Sequence, residues 1–160
     1  MSVELRELTY ENFHAAVELK VRADQQQFIE SNAYYIAQAK VDQEVTPLTV
    51  YADGEMVGFL VYGIDEDDGR VWLMRLMIDQ RFQGRGYARA AVLALVQRIQ
   101  QTYPVDAIYL RFPAGNQRAH RLYTGLGWTL TGDQEEGEDI YVLRLGSGVW
   151  QPPEIAADQG

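Results

Sequence analysis

The stretch RFQGRGYARA, Arg81–Ala90, places two glycines between two hydrophobic runs. The run before it, VWLMRLMI or Val71–Ile78, is almost wholly apolar and predicts a central strand buried on both faces. The run after it, from Tyr87 to about Tyr103, repeats apolar residues every three or four positions and predicts a helix. The first N–H groups of a helix lack partners and carry partial positive charge, and glycines let a ligand approach them closely. The order of strand, glycine turn and helix therefore favours a site for a phosphate.

Two well-known phosphate motifs do not fit this turn. A Walker loop requires Lys and then Ser or Thr after its last glycine, but here Tyr87 follows Gly86. A Rossmann fingerprint requires glycine or alanine where the chain has Arg89. Arg81, Arg85 and Arg89 can nevertheless add positive charge around the turn. The structural alternative is a tight strand-to-helix connection that binds nothing.

The composition indicates a folded protein and narrows its function classes. The chain has 160 residues, 47% of them hydrophobic, and is most simply one domain. It lacks cysteine, which excludes disulfides and thiol nucleophiles and fits a reducing cytoplasm. The net charge of −9 argues against nucleic acid as a partner. Neither a secretory signal nor a run of roughly 18 apolar residues is found, so we expect a cytoplasmic protein with no membrane partner.

The remaining hydrophobic patterns predict an α/β domain. Strands are expected at Val3–Leu8, on both sides of an Asp53–Gly54 turn, at Ala107–Phe112, and in a closing hairpin around the acidic turn 133–139. Helices are expected at Tyr10–Leu19, at Ala33–Val41 with Asn32 as a cap, and at Asn116–Leu126 with Gly127 as a C-cap. Periodicity is lost after residue 145. We therefore expect a domain over residues 1–145 and a tail over residues 146–160, in which Val149–Trp150 could dock on the domain.

Two segments carry a resemblance to a known family. The sequence QGRGYA, residues 83–88, matches the Gln/Arg-x-x-Gly-x-Gly/Ala signature of the GNAT N-acetyltransferases. The sequence NQRAHRLYTGLGW, residues 116–128, resembles that superfamily's Asn-x-x-Ala-x-x-x-Tyr-x-x-x-Gly-Phe/Trp segment. The resemblance implies a mixed, mostly antiparallel sheet of six or seven strands with helices on both faces. It also implies that the strand at Leu76–Ile78 splays from the strand at Ile108–Phe112.

The resemblance further implies acetyl-CoA as the cosubstrate. Backbone N–H groups of the glycine turn would hold its pyrophosphate, and the pantetheine arm would lie in the splayed gap. The residues that the resemblance assigns to this cosubstrate are Leu76, Met77, Ile78, Arg81, Gln83, Gly84, Arg85, Gly86, Tyr87, Ala88, Arg89, Asn116 and Tyr123. In the implied reaction an amine attacks the thioester directly, and a backbone N–H of Met77 or Ile78 polarises its carbonyl. Tyr123 would protonate the departing sulfur, unless it is only a core aromatic residue.

Two further segments resemble bacterial spermine/spermidine acetyltransferases. They are GRVWLMRLMID, residues 69–79, and QQQFIESN, residues 25–32, the second of which borders the acceptor channel in this fold. Glu30 and Asp24 could pair with a substrate ammonium group, or could belong to a solvated helix end capped by Ser31 and Asn32. The acidic loops 65–68 and 135–139 are ordinarily solvated turns, although a polyamine could use them for capture.

One residue departs from the pattern of the polyamine acetyltransferases. Many of them place Glu or Asp on the central strand as a general base, where this chain has Met74 on the wall of the acceptor site. Without a base, neutralising an alkyl ammonium at pH 7 costs roughly 4–5 kcal/mol. Glu30, Tyr34 or water could take the proton. The alternative acceptors are a protein N-terminus, a lysine or an antibiotic amine, and a catalytically weak acyl-CoA sensor is the alternative of another class.

Other residues predict no chemistry of their own. His14 and His120 have no companions at ligand spacing, so no metal site is expected. Arg75 alternates with Leu73 and Met77 and is expected to be held by a carboxylate. Trp72 and Trp128 are expected in the core. Proteins similar to this one are commonly homodimers, so a homodimer is also an expectation.

Overall fold

A computed structural model describes residues 2–28, 30–146 and 148–153, with residues 26–28 described by their backbone alone. The described strands form one sheet in the order β1-β2-β3-β4-β5-β7-β6. Their bounds are Glu4–Glu7 (β1), Val45–Ala52 (β2), Glu55–Ile64 (β3), Val71–Ile78 (β4), Ala107–Phe112 (β5), Thr129–Glu135 (β6) and Glu138–Arg144 (β7). Every neighbouring pair is antiparallel except β4 and β5, so the expected mixed, mostly antiparallel sheet of seven strands is confirmed.

Helices cover both faces of this sheet. They are Phe13–Glu18 (α1), Asn32–Val41 (α2), Tyr87–Thr102 (α3) and Gln117–Gly125 (α4), with 3₁₀ helices at Ala23–Phe28 and Gln80–Phe82. Helices α3 and α4 pack on a large hydrophobic cluster that includes Leu95, Ile99 and Tyr123. Helices α1 and α2 pack on a smaller cluster on the other face, around Phe59 and Met77. None of the helices among the described residues is long and apolar enough to cross a membrane.

The local signals at turns are largely confirmed. Asp53 and Gly54 both have positive φ, at 50° and 78°, as a two-residue hairpin turn between β2 and β3 requires. The expected cap of α2 is wrong by one residue. Ser31 accepts the cap hydrogen bond from Tyr34 N at 3.2 Å, while Asn32 begins the helix and points into the protein. Helix α1 is shorter than expected and spans Phe13–Glu18.

The described part of the tail contacts helix α3. Trp150 N donates to Gln100 Oε1 at 3.1 Å, and Gln100 Nε2 donates to Gly148 O at 3.1 Å. The Trp150 ring packs against the large hydrophobic cluster, whereas Val149 is 75% exposed. Docking therefore rests on Trp150. Residues 147 and 154–160 of the expected tail lie outside the described residues.

Candidate active site

Strands β4 and β5 separate along their length. They pair only at Val71 with Ile108 and at Trp72 with Tyr109, near the beginning of both strands. Beyond these pairs the C-terminal half of β4 has no partner strand on the β5 side, which confirms the expected splay. Free main-chain groups at the end of β4 can therefore hydrogen-bond to a ligand lying in the gap.

A β-bulge at Met74 changes the direction of the side chains along β4. Val61 pairs with Arg75 and Tyr62 pairs with Leu73, so Met74 has no partner on β3. Leu73 consequently packs in the large cluster under α3, whereas Met77 packs in the small cluster on the α1–α2 face. The expectation that Leu73, Arg75 and Met77 share one face is wrong because alternation breaks at the bulge.

Arg75 is held by an amide rather than by the expected carboxylate. Its Nε and Nη2 donate to Asn32 Oδ1 at 3.2 and 3.0 Å, and Asn32 Nδ2 donates in turn to Ala16 O at 2.8 Å. Arg75 is only 6% exposed, and its Nη1 has no hydrogen-bond partner among the described residues. Burial lowers the pKa of Arg75 to about 10, so the guanidinium still carries its charge at pH 7.

Asp79 fixes the chain where β4 ends and the glycine turn begins. Its carboxylate is 3% exposed and accepts hydrogen bonds from Lys20 N at 3.0 Å, Arg81 N at 3.0 Å and Arg81 Nε at 2.8 Å. Burial acts to raise the pKa of Asp79, but the hydrogen bonds from Arg81 and from Lys20 outweigh it and lower the pKa. The Arg81 side chain is therefore partly engaged by the protein itself.

The glycine turn leaves its N–H groups free, as the sequence predicts. Gly84 and Gly86 have φ of 79° and 84°, and Gly86 is the N-cap of α3 with no side-chain cap bond. The first backbone bond of α3 is donated by Ala90 to Gly86 O at 3.1 Å. The preceding N–H groups can therefore bind an anion such as a pyrophosphate.

Gln83 connects this turn to its surroundings. Its Nε2 donates to Ile78 O at 2.8 Å and to Gln25 Oε1 at 3.0 Å, and its Oε1 accepts from Arg118 Nη1 at 3.2 Å. One side chain thereby joins the end of β4, the first 3₁₀ helix and α4. The side chain of Gln83 thus has a structural role, in addition to the role in pyrophosphate binding that is expected for its backbone N–H.

A cleft of about 380 Å³ runs along this region, and we name it the cofactor cleft after the cosubstrate site expected from the sequence. It is lined by residues of the glycine turn and α3, by the end of β4, and by the N-terminal half of α4, among them Leu76, Met77, Ile78, Gln83, Ala88, Asn116 and Tyr123. These seven were assigned to the cosubstrate from the sequence. Gly84, Arg85, Gly86, Tyr87 and Arg89 belong to the adjoining turn and first turn of α3 but do not line the cleft itself.

A second cavity of about 1260 Å³ adjoins the cleft, and we name it the acceptor cavity after the acceptor site expected from the sequence. Met74 and Glu30, which were both assigned to that acceptor site, line it. Asp24 lines the cofactor cleft instead, near Arg22 at 3.7 Å. The structure thus brings together two of the three expected acceptor residues and places the third on the cofactor side.

Carboxylates dominate the lining of the acceptor cavity. They are Glu30, Asp42, Glu44, Asp65, Glu66, Asp67, Glu135, Glu136 and Glu138. Among the described residues of the lining, Arg75 and Arg111 are the cations that oppose them. Arg111 contacts Glu138 at 2.6 Å and Glu136 at 3.3 Å. The mouth of the cavity therefore attracts cations, although part of its charge is already paired.

Tyr123 lies where the two cavities meet. Leu76, Asn116, Ala119 and Tyr123 line both the cleft and the acceptor cavity. The Tyr123 ring is 8% exposed and packs near Phe112 and Trp128, with ring centroids 6.0 and 5.5 Å away. Burial raises the pKa of its phenol above the ordinary value of about 10, so the hydroxyl stays protonated at neutral pH.

Asn116 places its side chain differently from the expectation. Its Oδ1 accepts a hydrogen bond from Ala119 N at 3.2 Å and so caps α4. Asn116 still lines both cavities, and its Nδ2 remains a donor that can face a ligand. The cap role has a local sequence signal, because Asn is favoured at the start of a helix.

Several residues of the site carry no local signal. Gly58 on β3 is required because a Cβ there would lie 2.5 Å from Met77 O, which lets the two strands approach where β4 ends. Trp72 is half-buried in the acceptor cavity, where it packs 5.5 Å from the Tyr109 ring, so only Trp128 is a fully buried core tryptophan. Tyr35 and Gln38 also line this cavity. Their positions depend on how α2 packs on the sheet, which periodicity alone does not reveal.

Each histidine contacts one other polar side chain. His14 contacts Glu18 at 3.1 Å on α1, and His120 Nδ1 lies 2.8 Å from the Tyr141 hydroxyl. Among the described residues, no group of three or more His, Cys, Asp or Glu could hold a metal ion.

Comparisons with known proteins place this geometry in a family. Residues 4–128 match the model of the Acetyltransferase (GNAT) family. The chain is 36% identical over 152 residues to the spermine/spermidine N(1)-acetyltransferase of Bacillus subtilis strain 168, covering 91% of this chain and 100% of that protein. It is 33% identical over 91 residues to the N-acetylaspartate synthetase of Rattus norvegicus, covering 57% of this chain and 29% of that protein.

Solved structures share the fold at low sequence identity. An aminoglycoside acetyltransferase in complex with paromomycin and acetyl-CoA superposes with a TM-score of 0.76 at 20% identity, over 90% of this chain and 94% of that one. The spermidine N-acetyltransferase of Vibrio cholerae, in complex with CoA and spermine, gives a TM-score of 0.70 at 17% identity, over 89% and 95%. From its sequence match and its fold, the chain belongs to the GNAT family of acetyltransferases.

Proposed function

We propose that this protein transfers the acetyl group of acetyl-CoA to a primary amine of a polyamine such as spermidine or spermine. The observation that carries the proposal is the meeting of the cofactor cleft and the acceptor cavity at Tyr123. Two substrates that enter from opposite sides can react there without a covalent enzyme intermediate. The similarity to the Bacillus polyamine acetyltransferase over nearly the whole chain supports the same acceptor class.

The cleft fits the chemistry of acetyl-CoA. The glycine turn offers uncapped N–H groups at the start of α3 for the pyrophosphate. The side of β4 that lacks a partner strand leaves the N–H of Ile78 available for the pantetheine arm. Met77 faces β3 instead, because Asp79 N donates to Val57 O and Met77 is paired with Phe59 in the same register. The thioester supplies an activated acyl group, and the N–H of Ile78 can donate to its carbonyl oxygen as negative charge develops there.

Tyr123 acts as a hydrogen-bond donor to the departing thiolate. Burial raises the pKa of its phenol, so complete proton transfer to a thiolate, whose acid has a pKa near 8.5, is uphill. A neutral donor beside developing charge nevertheless stabilises it, and the burial of the Tyr123 side chain strengthens this interaction. The proposal therefore gives Tyr123 a catalytic contact at the sulfur and leaves final protonation to solvent.

The acceptor cavity fits a polyamine both in its charge and in its apolar surface. Its carboxylate-rich mouth, with Glu30 at one side and the 135–138 turn at another, attracts the distal ammonium groups. Its inner wall presents the Met74 thioether, which accommodates methylene groups. We propose that Glu30 binds the substrate, whereas Asp24, on the cofactor side, does not.

The reacting amine must lose a proton before it attacks. Met74 cannot accept it, and Tyr34 is 53% exposed and does not line the acceptor cavity. Arg75 lines that cavity as a buried cation whose side-chain partner is the neutral Asn32. A second positive charge nearby is disfavoured in such a site, so the neutral amine is favoured there. The proton then leaves to water in the open cavity.

The proposal also includes the domain bounds and the cellular compartment. Residues 1–145 form the catalytic domain and residues 146–160 a tail that docks through Trp150. The reaction takes place in the cytoplasm, for which the chain's lack of cysteine is suited. A homodimer remains a prediction from the resemblance.

Release of CoA thiol distinguishes the proposal from its alternatives. The full chain is incubated with acetyl-CoA and, separately, with spermidine, spermine, an aminoglycoside and a peptide with a free N-terminus. We expect turnover with spermidine and spermine that exceeds the other amines by about tenfold or more. Turnover confined to the peptide or the aminoglycoside would contradict the polyamine proposal and would identify that compound's class as the acceptor. Binding of acetyl-CoA without turnover on any amine would favour the sensor, which the absence of a base at Met74 also allows.

A further inference from the structure

Three arginines outside the glycine turn line the outer part of the cofactor cleft. Arg22 precedes the first 3₁₀ helix, and Arg118 and Arg121 lie on the first two turns of α4. The signature that identifies the pyrophosphate site includes none of them. They line the same 380 Å³ cleft as Leu76–Ile78.

These arginines are close enough to repel one another. Burial lowers the pKa of Arg118, and the charges of Arg22 and Arg121 lower it further, while Asp24 acts in the opposite direction. Asp24 is the one carboxylate among the described residues that line this cleft, and it already contacts Arg22 at 3.7 Å. Three cations and one anion leave a local charge of +2 in a chain whose net charge is −9. Such crowding of like charges favours binding of an anion.

The side chain of Arg118 is held in place. Its Nη1 donates to Gln83 Oε1 at 3.2 Å, and Gln83 Nε2 donates to Ile78 O at 2.8 Å. The guanidinium is therefore tied to the end of β4, between the glycine turn and α4. A positioned guanidinium loses less rotamer entropy when it binds a phosphate, and it can do so with two parallel hydrogen bonds.

Coenzyme A carries one phosphate group that the glycine turn does not explain. Its pyrophosphate suits the N–H groups of residues 83–88, but the ribose at its adenosine end bears a separate 3′-phosphate with nearly two negative charges. We propose that Arg22, Arg118 and Arg121 form a second phosphate site that binds this 3′-phosphate. The inference rests on the proposed cosubstrate and extends it, because it predicts discrimination between CoA and dephospho-CoA.

Titration calorimetry with both nucleotides tests the site without any turnover. We expect the intact chain to bind CoA about tenfold or more tightly than dephospho-CoA, which differs only in lacking the 3′-phosphate. Arg118→Gln and, separately, Arg121→Gln should weaken CoA binding at least about threefold and leave dephospho-CoA binding unchanged. Arg121→Gln guards against structural loss, because Arg118, unlike Arg121, donates a hydrogen bond to Gln83.

Arg98→Gln is the matched control. Arg98 lies on α3, contacts Glu7 at 3.6 Å and lines neither cavity, so the substitution removes the same charge elsewhere. If Arg98→Gln lost as much of the preference for CoA over dephospho-CoA, the effect would come from the overall charge of the protein, and the proposed site would be overturned. Equal affinity of the intact chain for the two nucleotides would overturn it as well and leave the proposed transferase intact. Failure of both nucleotides to bind would overturn the site together with the proposed function.

Discussion

The cofactor cleft and the acceptor cavity meet at Tyr123 and are built from different parts of the chain. The phosphate-binding groups expected beside the cleft are backbone N–H groups of one continuous segment, from the end of β4 through Gly84 and Gly86 into α3. The acceptor cavity depends on side chains from α2, β3, β4, β5 and the β6–β7 turn. A backbone site is specified by a short local pattern, whereas a side-chain site is specified only when distant segments pack together.

The two regions also differ in charge. Arginines 22, 81, 85, 89, 118 and 121 surround the cleft and its glycine turn, while nine carboxylates and two arginines line the acceptor cavity. The net charge of −9 of the whole chain therefore does not describe the local charge of either region. An anionic and a cationic substrate can each be attracted to its own entrance, because screening confines such fields to about 10 Å.

The largest expected effect concerns the point where the two regions meet. Tyr123→Phe should lower kcat about 100-fold and change the dissociation constant of CoA by no more than about twofold, because only the donor to the thiolate is lost. Steady-state kinetics and calorimetry measure these quantities. An unchanged kcat would remove Tyr123 from catalysis, and a parallel loss of CoA affinity would make it a binding residue of the cleft.

The pH profile of the unaltered enzyme sharpens this assignment. Burial raises the pKa of Tyr123, so its hydroxyl should remain protonated at least to about pH 10. Ionisation of this phenol should therefore cause no fall in rate between pH 7 and 10. The rate should instead rise with pH over this range as the neutral fraction of the acceptor amine grows.

A smaller effect is expected on the acceptor side, and in the opposite direction. Met74→Glu should raise kcat/KM for spermidine at pH 7 about tenfold, because a carboxylate in the acceptor cavity can accept the amine proton. It should also flatten the rise of log kcat/KM with pH, since the enzyme would then react with the protonated amine as it binds. Met74→Gln is the matched control with similar shape and no base. An equal gain in that variant would refute the base interpretation.

The smallest effect is expected at the mouth of the acceptor cavity. Glu30→Gln should raise the KM for spermidine about three- to fivefold without changing kcat, because an exposed ion pair contributes about 1 kcal/mol or less. The difference should shrink in high salt. Glu11→Gln removes an exposed carboxylate that lines neither cavity and should leave KM unchanged. A KM of Glu30→Gln equal to that of the unaltered enzyme would exclude Glu30 from substrate binding.

Sequence reasoning predicted the cleft better than the cavity for a physical reason. The two glycines, the buried strand before them and the amphipathic helix after them are all local, so the turn at residues 83–88 could be located from the sequence. Glu30 and Met74 were selected only through the resemblance to polyamine acetyltransferases, and both line the acceptor cavity. Asp24, six residues before Glu30, lies within the first 3₁₀ helix and lines the cofactor cleft instead.

Arg75 shows what local patterns cannot contain. Alternation along β4 wrongly predicted that Arg75 lies on the same face as Leu73. The bulge at Met74, which separates the two faces, is visible only in the pairing of β4 with β3. Its partner, Asn32, lies 43 residues away and was assigned as a helix cap. An amide and a guanidinium at such a separation leave no joint signal in one sequence, although each has an ordinary local explanation.

The bulge has a consequence for how this active site can diversify. Met74 takes no part in the ladder between β3 and β4, yet its side chain lines the acceptor cavity. An exchange at this position alters the reactivity offered to the amine and leaves every strand pairing intact. Proton-accepting and apolar versions of the enzyme can therefore interconvert by a single substitution that leaves the strand register unchanged.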